Sequence, residues 1–268
     1  MTPHALESRY LAAQAIALEA GSLAKRLRED PERLNVEMKG PQDFVTVADR
    51  AVEDLIARRL LAAFPEDTML GEEGHALAAD AGGGAVWIVD PIDGTANYVR
   101  NLPDWCVSIG LVVDGRPELG VIHVPPLDQL FAARRGQGAV GNGRPIRVSG
   151  RTTISGATIG LDYSFSTPSA IHRAHIEAVH AHGGEYRRNG SVAVSLTHVA
   201  SGRLDGFVEM ELNTWDVAAG IVLVQEAGGW TNDFLAKGGL TGKNLIVAAA
   251  PGIRDQLLAI TDLERSAG

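Results

Sequence analysis

Residues 86–95 read Val-Trp-Ile-Val-Asp-Pro-Ile-Asp-Gly-Thr, an apolar run that ends in two aspartates, Asp90 and Asp93. An uninterrupted apolar run bounded by turn residues is typical of a buried strand. Pro91 stiffens the turn, and Gly94 permits backbone angles that other residues resist. Two anions in one tight turn repel each other unless a cation lies between them. The stretch therefore predicts a divalent metal site at the carboxyl end of a buried strand.

The regions around this stretch divide into two parts of different character. Helical spacing of apolar residues predicts a helix over 6–27 and another that Thr46 caps, with Asp49 in its first turn. Alternation and turn signals predict strands over 68–70, 106–113, 118–123 and 129–133. After a boundary at 149–155, strands over 157–161, 204–209 and 245–248 alternate with helices over 168–182, 191–200, 216–227 and 251–263. This alternation indicates an α/β second half with helices over a sheet.

Composition excludes several classes of function. The chain has 24 basic against 33 acidic residues, a net charge of −9, and no run of Lys or Arg that would make a nucleic-acid surface. Cys106 is the only cysteine, so an intramolecular disulfide is impossible, which fits a reducing cytoplasm. The first residues lack the pattern of a signal peptide, and no apolar run is long enough to span a bilayer. We expect a cytoplasmic protein with neither nucleic acid nor membrane as a partner.

Residues 90–95 resemble the signature of the inositol monophosphatase family, the lithium-sensitive, magnesium-dependent phosphatases. Three further pieces match in the family's order: Asp-Phe-Val-Thr-Val-Ala-Asp at 43–49, Gly-Glu-Glu at 71–73 and Trp-Asp-Val-Ala-Ala-Gly at 215–220. The resemblance implies an α+β fold, a layered α-β-α-β-α sandwich. It also implies an α+β subdomain over 1–150 that carries most metal ligands, and an α/β subdomain over 151–268 that carries Asp216 and substrate contacts.

The resemblance further implies two or three Mg²⁺ ions in one site. The matching positions assign one ion to Glu72, Asp90 and the backbone carbonyl of Ile92, and a second to Asp90, Asp93 and Asp216, with a weaker ion near Glu72. Mg²⁺ prefers such hard oxygen ligands. The alternative interpretation is that these acids are exposed turn and helix-cap residues. A carboxylate at a helix start, as expected for Asp216, is also favoured by the helix dipole.

Catalytic and substrate-binding roles follow from the same resemblance. The Thr95 hydroxyl, paired with Asp49, takes part in activating water for direct in-line attack; Glu72 is the alternative base. Asp49 has an alternative role as a first-turn acid, and Glu209 as a solvated surface acid. The residues implied to contact the phosphate or the substrate hydroxyls are Asp93, Gly94, Thr95, Gly190, Ser191, Glu209 and Asp216.

Other polar residues receive structural interpretations. Cys106 lies in an apolar run and is expected to be a buried small hydrophobe. His172 and His175 are expected on a solvated helix face. Glu73 is expected beside the metal ligands. Arg187 and Arg188 are expected in solvent or at a subunit interface.

The predicted activity is magnesium-dependent hydrolysis of a small phosphate monoester, most simply myo-inositol monophosphate or a related polyol or sugar phosphate. Alternatives within the family are histidinol phosphate, fructose 1,6-bisphosphate and 3′-phosphoadenosine 5′-phosphate. An alternative of another class is a partner protein in transcription or ribosome maturation, as some bacterial members are. The resemblance also implies a homodimer.

Overall fold

The computed structural model describes residues 1–29, 34, 36–40, 43–74, 76–77, 84–164, 166–236 and 238–262 of the 268-residue chain. Its helices are α1 (Pro3–Arg28), α2 (Val47–Ala63), α3 (Thr95–Val99), α4 (Ser169–Ala181), α5 (Val192–Ala200), α6 (Thr214–Glu226) and α7 (Arg254–Ile260). None of the helices described here combines the length and the apolar character needed to cross a membrane.

The strands are β1 (Glu37–Gly40), β2 (Asp43–Val45), β3 (Thr68–Gly71), β4 (Ala76–Leu77), β5 (Ala85–Asp93), β6 (Cys106–Val113), β7 (Arg116–Val124), β8 (Gln129–Arg134), β9 (Ala139–Gly141), β10 (Arg144–Pro145), β11 (Thr158–Leu161), β12 (Glu185–Arg187), β13 (Gly206–Leu212), β14 (Trp230–Thr231) and β15 (Asn244–Ala249). The longest strands are β5, which carries the aspartates, and β7, each of 9 residues. The predicted strands of the first half are present.

Two sheets organise these strands, apart from the β1–β2 pair. The first sheet has the order β10-β9-β8-β7-β6-β5-β3-β4, in which β3 and β5 are parallel and the other neighbours antiparallel. The second has the order β12-β11-β13-β15-β14, with β11 parallel to both of its neighbours. Strand β5, which carries the aspartates, is buried from Trp87 to Asp93.

Helices separate and cover the sheets in five layers. Apolar side chains of α1 and α2 pack on one face of the first sheet, α5 and α6 lie between the sheets, and the outer face of the second sheet packs against α4 and α7. A Cβ on Gly120 of β7 would overlap the backbone of Ala219, so glycine permits α6 to lie directly on the sheet. The predicted α-β-α-β-α sandwich is confirmed.

The two halves of the chain share one interior. The chain leaves the first sheet at Pro145 and enters the second at Thr158, on either side of the expected boundary. Helices α5 and α6 belong to the second half, yet their apolar residues pack with residues of β7 and β8. Because this shared layer joins both sheets, side chains from the two halves can meet at one site.

Candidate active site

A bulge at the end of β5 directs both aspartates to the same face. Asp90 pairs with Ser108 of β6, and Asp93 pairs with Cys106. The chain therefore advances three residues along β5 while it advances two along β6. Alternate residues of a strand share a face, which places the partners Ser108 and Cys106 on one side. Without the extra residue that a bulge supplies, Asp90 and Asp93 would point to opposite sides. Pro91 is tolerated in this buried strand because it lies at the bulge, where the regular hydrogen bonding is interrupted.

Asp216 completes a cluster with these two residues. Asp90, Asp93 and Asp216 each offer a carboxylate oxygen, and the three oxygens lie within 4.8 Å of one another. We call these three residues the acidic cluster. Burial raises the pKa of Asp90 well above its ordinary value, and the charges of Glu72, Asp93 and Asp216 add to the shift. Of the four acids that the resemblance assigns to the metal site, these three lie together in the structure.

The position of Asp216 is set by local chemistry at the start of α6. Asn213 caps the helix, and Asp216 is its third residue, where the carboxylate accepts the backbone N–H of Asn213 at 2.7 Å. This reciprocal capping box orients the side chain near the helix N-terminus, where the dipole favours a negative charge. Capping and the acidic cluster therefore use the same residue.

Asp93 is held by donors from the second half of the chain. Its Oδ2 accepts the Ser191 hydroxyl at 2.5 Å and the backbone N–H of Ala193 at 2.6 Å, and the Cys106 thiol lies 3.9 Å away. Burial raises the pKa of Asp93, while the bonds from Ser191 and Ala193 oppose that rise. Ser191 was expected to contact substrate; in this structure its hydroxyl is bonded to the carboxylate.

Glu72 and Ile92 lie beside the acidic cluster. Glu72 is partly buried in the turn after β3, and its backbone N–H donates to Val89 at 3.2 Å. Its charge contributes to the raised pKa of Asp90, but its oxygens are not among the three that converge. The carbonyl oxygen of Ile92 lies 3.0 Å from the Thr95 hydroxyl oxygen, whose single proton can be donated either to this carbonyl or to Asp49.

Asp49 and Thr95 form the pair that the resemblance implies. The Thr95 hydroxyl lies 3.2 Å from Asp49 Oδ1 and donates to it. Asp49 Oδ2 accepts the backbone N–H and the hydroxyl of Thr46, each at 2.7 Å, and the bond from the N–H is part of the capping box of α2. Burial raises the pKa of Asp49 to about 6, and the charge of Glu73 acts in the same direction. Asp49 is thus a helix-cap acid and a neighbour of Thr95 at once.

The turn at Gly94 packs against the predicted substrate segment. Gly94 has φ +90°, and a Cβ there would lie 2.8 Å from the carbonyl oxygen of Asp104 and 3.1 Å from Cβ of Ser191. Gly190 also has positive φ, at +74°. Glycine is required at Gly94 because a side chain would push the turn away from residues 190–191.

Glu209 projects from β13 toward the same region. It is 7% exposed, and of the residues described here none donates a hydrogen bond to its Oε2. Burial raises the pKa of Glu209 well above its ordinary value, with contributions from Asp162 and Asp216, whereas the charge of Arg188 lowers it. Arg188 is exposed, as expected, and its charge reaches Glu209 from the surface.

Asp162 is a site residue that the sequence reasoning missed. It is 7% exposed, directly follows β11, and burial raises its pKa to about 6. The sequence offered one signal for Asp162: it directly follows the predicted strand over 157–161, just as Asp90 directly follows the apolar run over 86–89.

Two of the remaining interpretations have clear outcomes. Cys106 is buried, as expected, and burial raises the pKa of its thiol well above the ordinary value. The expected solvated face is wrong for His175, which is 7% exposed because α7 packs over α4.

Comparisons with known proteins agree with this geometry. The sequence model of the inositol monophosphatase family matches residues 5–265. An inositol-1-monophosphatase of Rhizobium meliloti is 40% identical over 232 residues, covering 84% of this chain and 84% of the relative. A Nus factor SuhB of Xylella fastidiosa is 40% identical over 223 residues, covering 81% and 79%. The solved structure of extragenic suppressor protein suhB from Bartonella henselae superposes with a TM-score of 0.89 at 35% identity, covering 96% of this chain and 99% of that one.

Proposed function

The chain belongs to the inositol monophosphatase family, and from this premise we propose that it is a magnesium-dependent phosphatase of small phosphate monoesters. The observation that carries the proposal is the acidic cluster, which joins the end of β5 to the start of α6. Buried carboxylates at such separations are costly unless a cation neutralises them. Beside the cluster lies a hydroxyl–carboxylate pair, Thr95 and Asp49, suited to handling a proton.

The residues present fit magnesium. Their donors are carboxylate oxygens and one backbone carbonyl, which is the ligand chemistry of Mg²⁺. Asp90, Asp93 and Asp216 would hold one ion, and Glu72, Asp90 and Ile92 a second. When bound, Mg²⁺ polarises a phosphoryl oxygen and makes water more acidic. Burial raises the pKa values of Asp90 and Asp93, and a bound cation would favour their ionised forms.

Thr95 and Asp49 carry the proton-handling step. A Thr95 hydroxyl that donates to Asp49 Oδ1 has its own oxygen directed to accept a hydrogen bond from a water molecule. As that water attacks phosphorus in line, its proton passes through the hydroxyl to Asp49 Oδ1. The pKa of Asp49, about 6, lies near working pH, where general bases are most effective.

Glu209 supports a polyol as the alcohol part of the substrate. Its buried Oε2, which accepts no hydrogen bond from a described residue, is an acceptor that a substrate hydroxyl can satisfy. An enzyme that buries such an acceptor discriminates strongly against substrates lacking the matching donor. Myo-inositol monophosphate fulfils this requirement, and Gly94, Thr95 and Gly190 would flank its phosphate and ring.

The test is phosphate release from a panel of phosphomonoesters, with and without Mg²⁺. The panel comprises myo-inositol 1-phosphate, histidinol phosphate, fructose 1,6-bisphosphate, 3′-phosphoadenosine 5′-phosphate and a simple alkyl phosphate. We expect magnesium-dependent release, fastest with the polyol phosphate. Absence of release from every compound in a folded protein that binds Mg²⁺ would refute the hydrolase function.

The second candidate is a role in transcription, which the name of the Xylella fastidiosa relative, Nus factor SuhB, favours. It contrasts with the expectation from net charge that nucleic acid is not a direct partner. Affinity purification of tagged wild type and of Asp90→Asn tests it. Retention of RNA polymerase by both proteins would support a binding role that does not require the acidic cluster; loss of RNA polymerase from both would contradict it.

A further inference from the structure

A buried carboxylate outside the predicted metal ligands lies at the end of β11. Asp162 Oδ1 accepts the backbone N–H of Asn189 at 3.0 Å, and its Oδ2 accepts that of Gly190 at 3.1 Å. Bonds from N–H groups to a carboxylate are stronger than those between neutral groups. Both oxygens of one side chain thus hold the segment that immediately precedes Ser191.

The same segment is held from the opposite side by α3. The side-chain amide of Asn97 donates to the carbonyl of Asn189 at 2.8 Å and to that of Asp104 at 2.6 Å. Gly190, whose N–H is one of the two amides bonded to Asp162, has a positive φ of +74°, and a Cβ there would lie 3.3 Å from the side-chain nitrogen of Asn97. The segment 189–191 is therefore clamped between the second sheet and the turn that follows β5.

This segment delivers the donors that reach Asp93. The Ser191 hydroxyl lies 2.5 Å and the Ala193 amide 2.6 Å from Asp93 Oδ2. Hydrogen-bond strength falls steeply with lengthening and misalignment, so a small displacement of residues 189–191 weakens both contacts. Groups that hydrogen-bond to metal ligands orient them and tune metal affinity.

We propose that Asp162 is a positioning residue: by holding the amides of Asn189 and Gly190 it places the donors to Asp93 and thereby increases the magnesium affinity of the acidic cluster. This inference deepens the proposed function and rests on it. The hydrogen bonds of the Asp162 side chain go to the backbone amides of Asn189 and Gly190, so Asp162 acts on Asp93 through the backbone of residues 189–193.

Two variants separate this positioning from a simple effect of charge. Asp162→Asn removes the negative charge but keeps one oxygen that can accept one of the two amides. Asp162→Ala removes the charge and both acceptors. If charge alone mattered, the two variants would bind Mg²⁺ equally weakly, whereas positioning predicts that Asn retains more affinity than Ala.

Asp205 offers a matched control at the other end of the same sheet. Its carboxylate also accepts a backbone amide, that of Thr158 at 2.8 Å, and a serine hydroxyl, that of Ser149 at 2.5 Å. It is 8% exposed, close to the value for Asp162. Asp205→Asn therefore imposes a comparable loss of buried hydrogen bonding without disturbing residues 189–191.

The experiment is calorimetric titration of the metal-free proteins with Mg²⁺ alone, combined with hydrogen exchange of the peptide that covers residues 188–193. We expect Asp162→Ala to weaken binding about tenfold, the lower end for partners of metal ligands. Asp162→Asn should lie between Ala and wild type, both should exchange faster over 188–193, and Asp205→Asn should match wild type in both measurements.

Several results would overturn the proposal: unchanged affinity in both Asp162 variants, equal affinity of Asn and Ala, or an equal loss in Asp205→Asn. If Asp162→Ala does not fold, the test rests on Asp162→Asn. Faster exchange over 188–193 together with weaker Mg²⁺ binding in Asp162→Asn, and neither change in Asp205→Asn, supports the proposal. If Asp162→Asn lacks either change, the proposal is overturned. Failure of the proposed function gives a different result, namely a wild type that binds Mg²⁺ but hydrolyses no monoester.

Discussion

The hydroxyl of Ser191 donates a 2.5 Å hydrogen bond to Oδ2 of Asp93, although the two residues are 98 positions apart in the chain. The bond links the first residue before α5 to the bulge that ends β5. Because a carboxylate that accepts such bonds is stabilised in its ionised form, Ser191 keeps Asp93 available for a cation. The acidic cluster is thus supported by groups from both halves of the molecule.

Ser191→Ala tests the importance of this bond. We expect Mg²⁺ affinity to fall about tenfold to a hundredfold, because the group that orients a proposed ligand is lost. Stability should also fall by about 1 kcal/mol, because Ser191 caps α5 through the Val194 amide. Magnesium titration by calorimetry and thermal unfolding measure the two effects.

The matched control for this variant is Ser149→Ala. Ser149 donates to Asp205 at the same 2.5 Å, far from the acidic cluster in the fold. It should lose stability without losing Mg²⁺ affinity. Equal affinity of Ser191→Ala and wild type for Mg²⁺ would show that the bond does not support the site.

Asp90→Asn should abolish turnover while the protein stays folded. The lost ligand would be shared between two ions, and we expect kcat to fall more than about 10³-fold, which corresponds to about 4 kcal/mol. Without metal, the variant should be no less stable than wild type, since burial already disfavours the charged form of Asp90. Thermal unfolding with and without Mg²⁺ should show that the stabilisation by metal is lost.

Asp114→Asn provides the control for net charge, because Asp114 is an exposed turn residue of positive φ that asparagine tolerates. It should keep wild-type turnover and wild-type stabilisation by Mg²⁺. Substantial activity of folded Asp90→Asn would contradict the sharing of Asp90 between ions.

Gly94→Ala separates backbone strain from displacement of the turn that carries Thr95. Gly94 and Gly115 both have positive φ, +90° and +76°, but only at Gly94 would a Cβ meet backbone, 2.8 Å from the carbonyl of Asp104. Both alanine variants should lose about 1–2 kcal/mol from the left-handed conformation. Only Gly94→Ala should also lose activity, more than about tenfold, because Thr95 moves with the turn. Comparable kcat/KM values for the two variants would remove Gly94 from the site.

Because the pKa of Asp49 is raised, we expect the stability of the metal-free protein to depend on pH. Burial raises the pKa of Asp49 from 3.8 to about 6, so the folded state retains a proton that the unfolded state loses between these values. This contribution to stability is full below pH 3.8 and declines as pH rises to about 6. Asp49→Asn does not titrate, so its stability relative to wild type should increase over that interval by about 3 kcal/mol.

The measurement for Asp49 is denaturant unfolding of both proteins in the presence of a chelator, from about pH 3.5 to about pH 7, a range that brackets the two pKa values. Asp49→Asn also removes an acceptor for Thr46, which shifts the difference in free energy of unfolding between the two proteins by a constant amount. The change of that difference with pH is therefore the informative quantity. A difference that does not vary with pH would contradict the raised pKa.

Several features of the site follow from short-range patterns. The apolar run into Asp90 predicts the buried β5, and the sequences at Thr46 and Asp216 predict helix starts that the structure shows as capping boxes. These features depend on residues three or four positions apart, whose backbone preferences act locally. The layered fold class, by contrast, was implied by the resemblance to the family; the local patterns alone indicate only that strands and helices alternate in the second half.

Other features depend on which surfaces the packed layers cover. Helical periodicity places His172 and His175 on one face of α4, but only the packing of α7 determines that His175 is buried. Likewise, the sequence gives no sign that Asp162 is buried, and it leaves Glu209 with a solvated surface position as one alternative. The raised pKa values of both arise from burial between elements distant along the chain. Burial and dielectric environment are properties of the assembled layers.

The aspartate turn that carries Thr95, the helix starts at Thr46 and Asp216 and the alternation of strands and helices in the second half were thus predictable from the chain, because each is encoded within a few neighbouring residues, while the resemblance to the family supplied the proposed metal ligands. The convergence of Asp90, Asp93 and Asp216, the bond from Ser191 to Asp93 and the hold of Asp162 on residues 189–190 required the folded molecule. They arise where α5 and α6 pack between two sheets, and contacts between distant segments form only when that shared core excludes water.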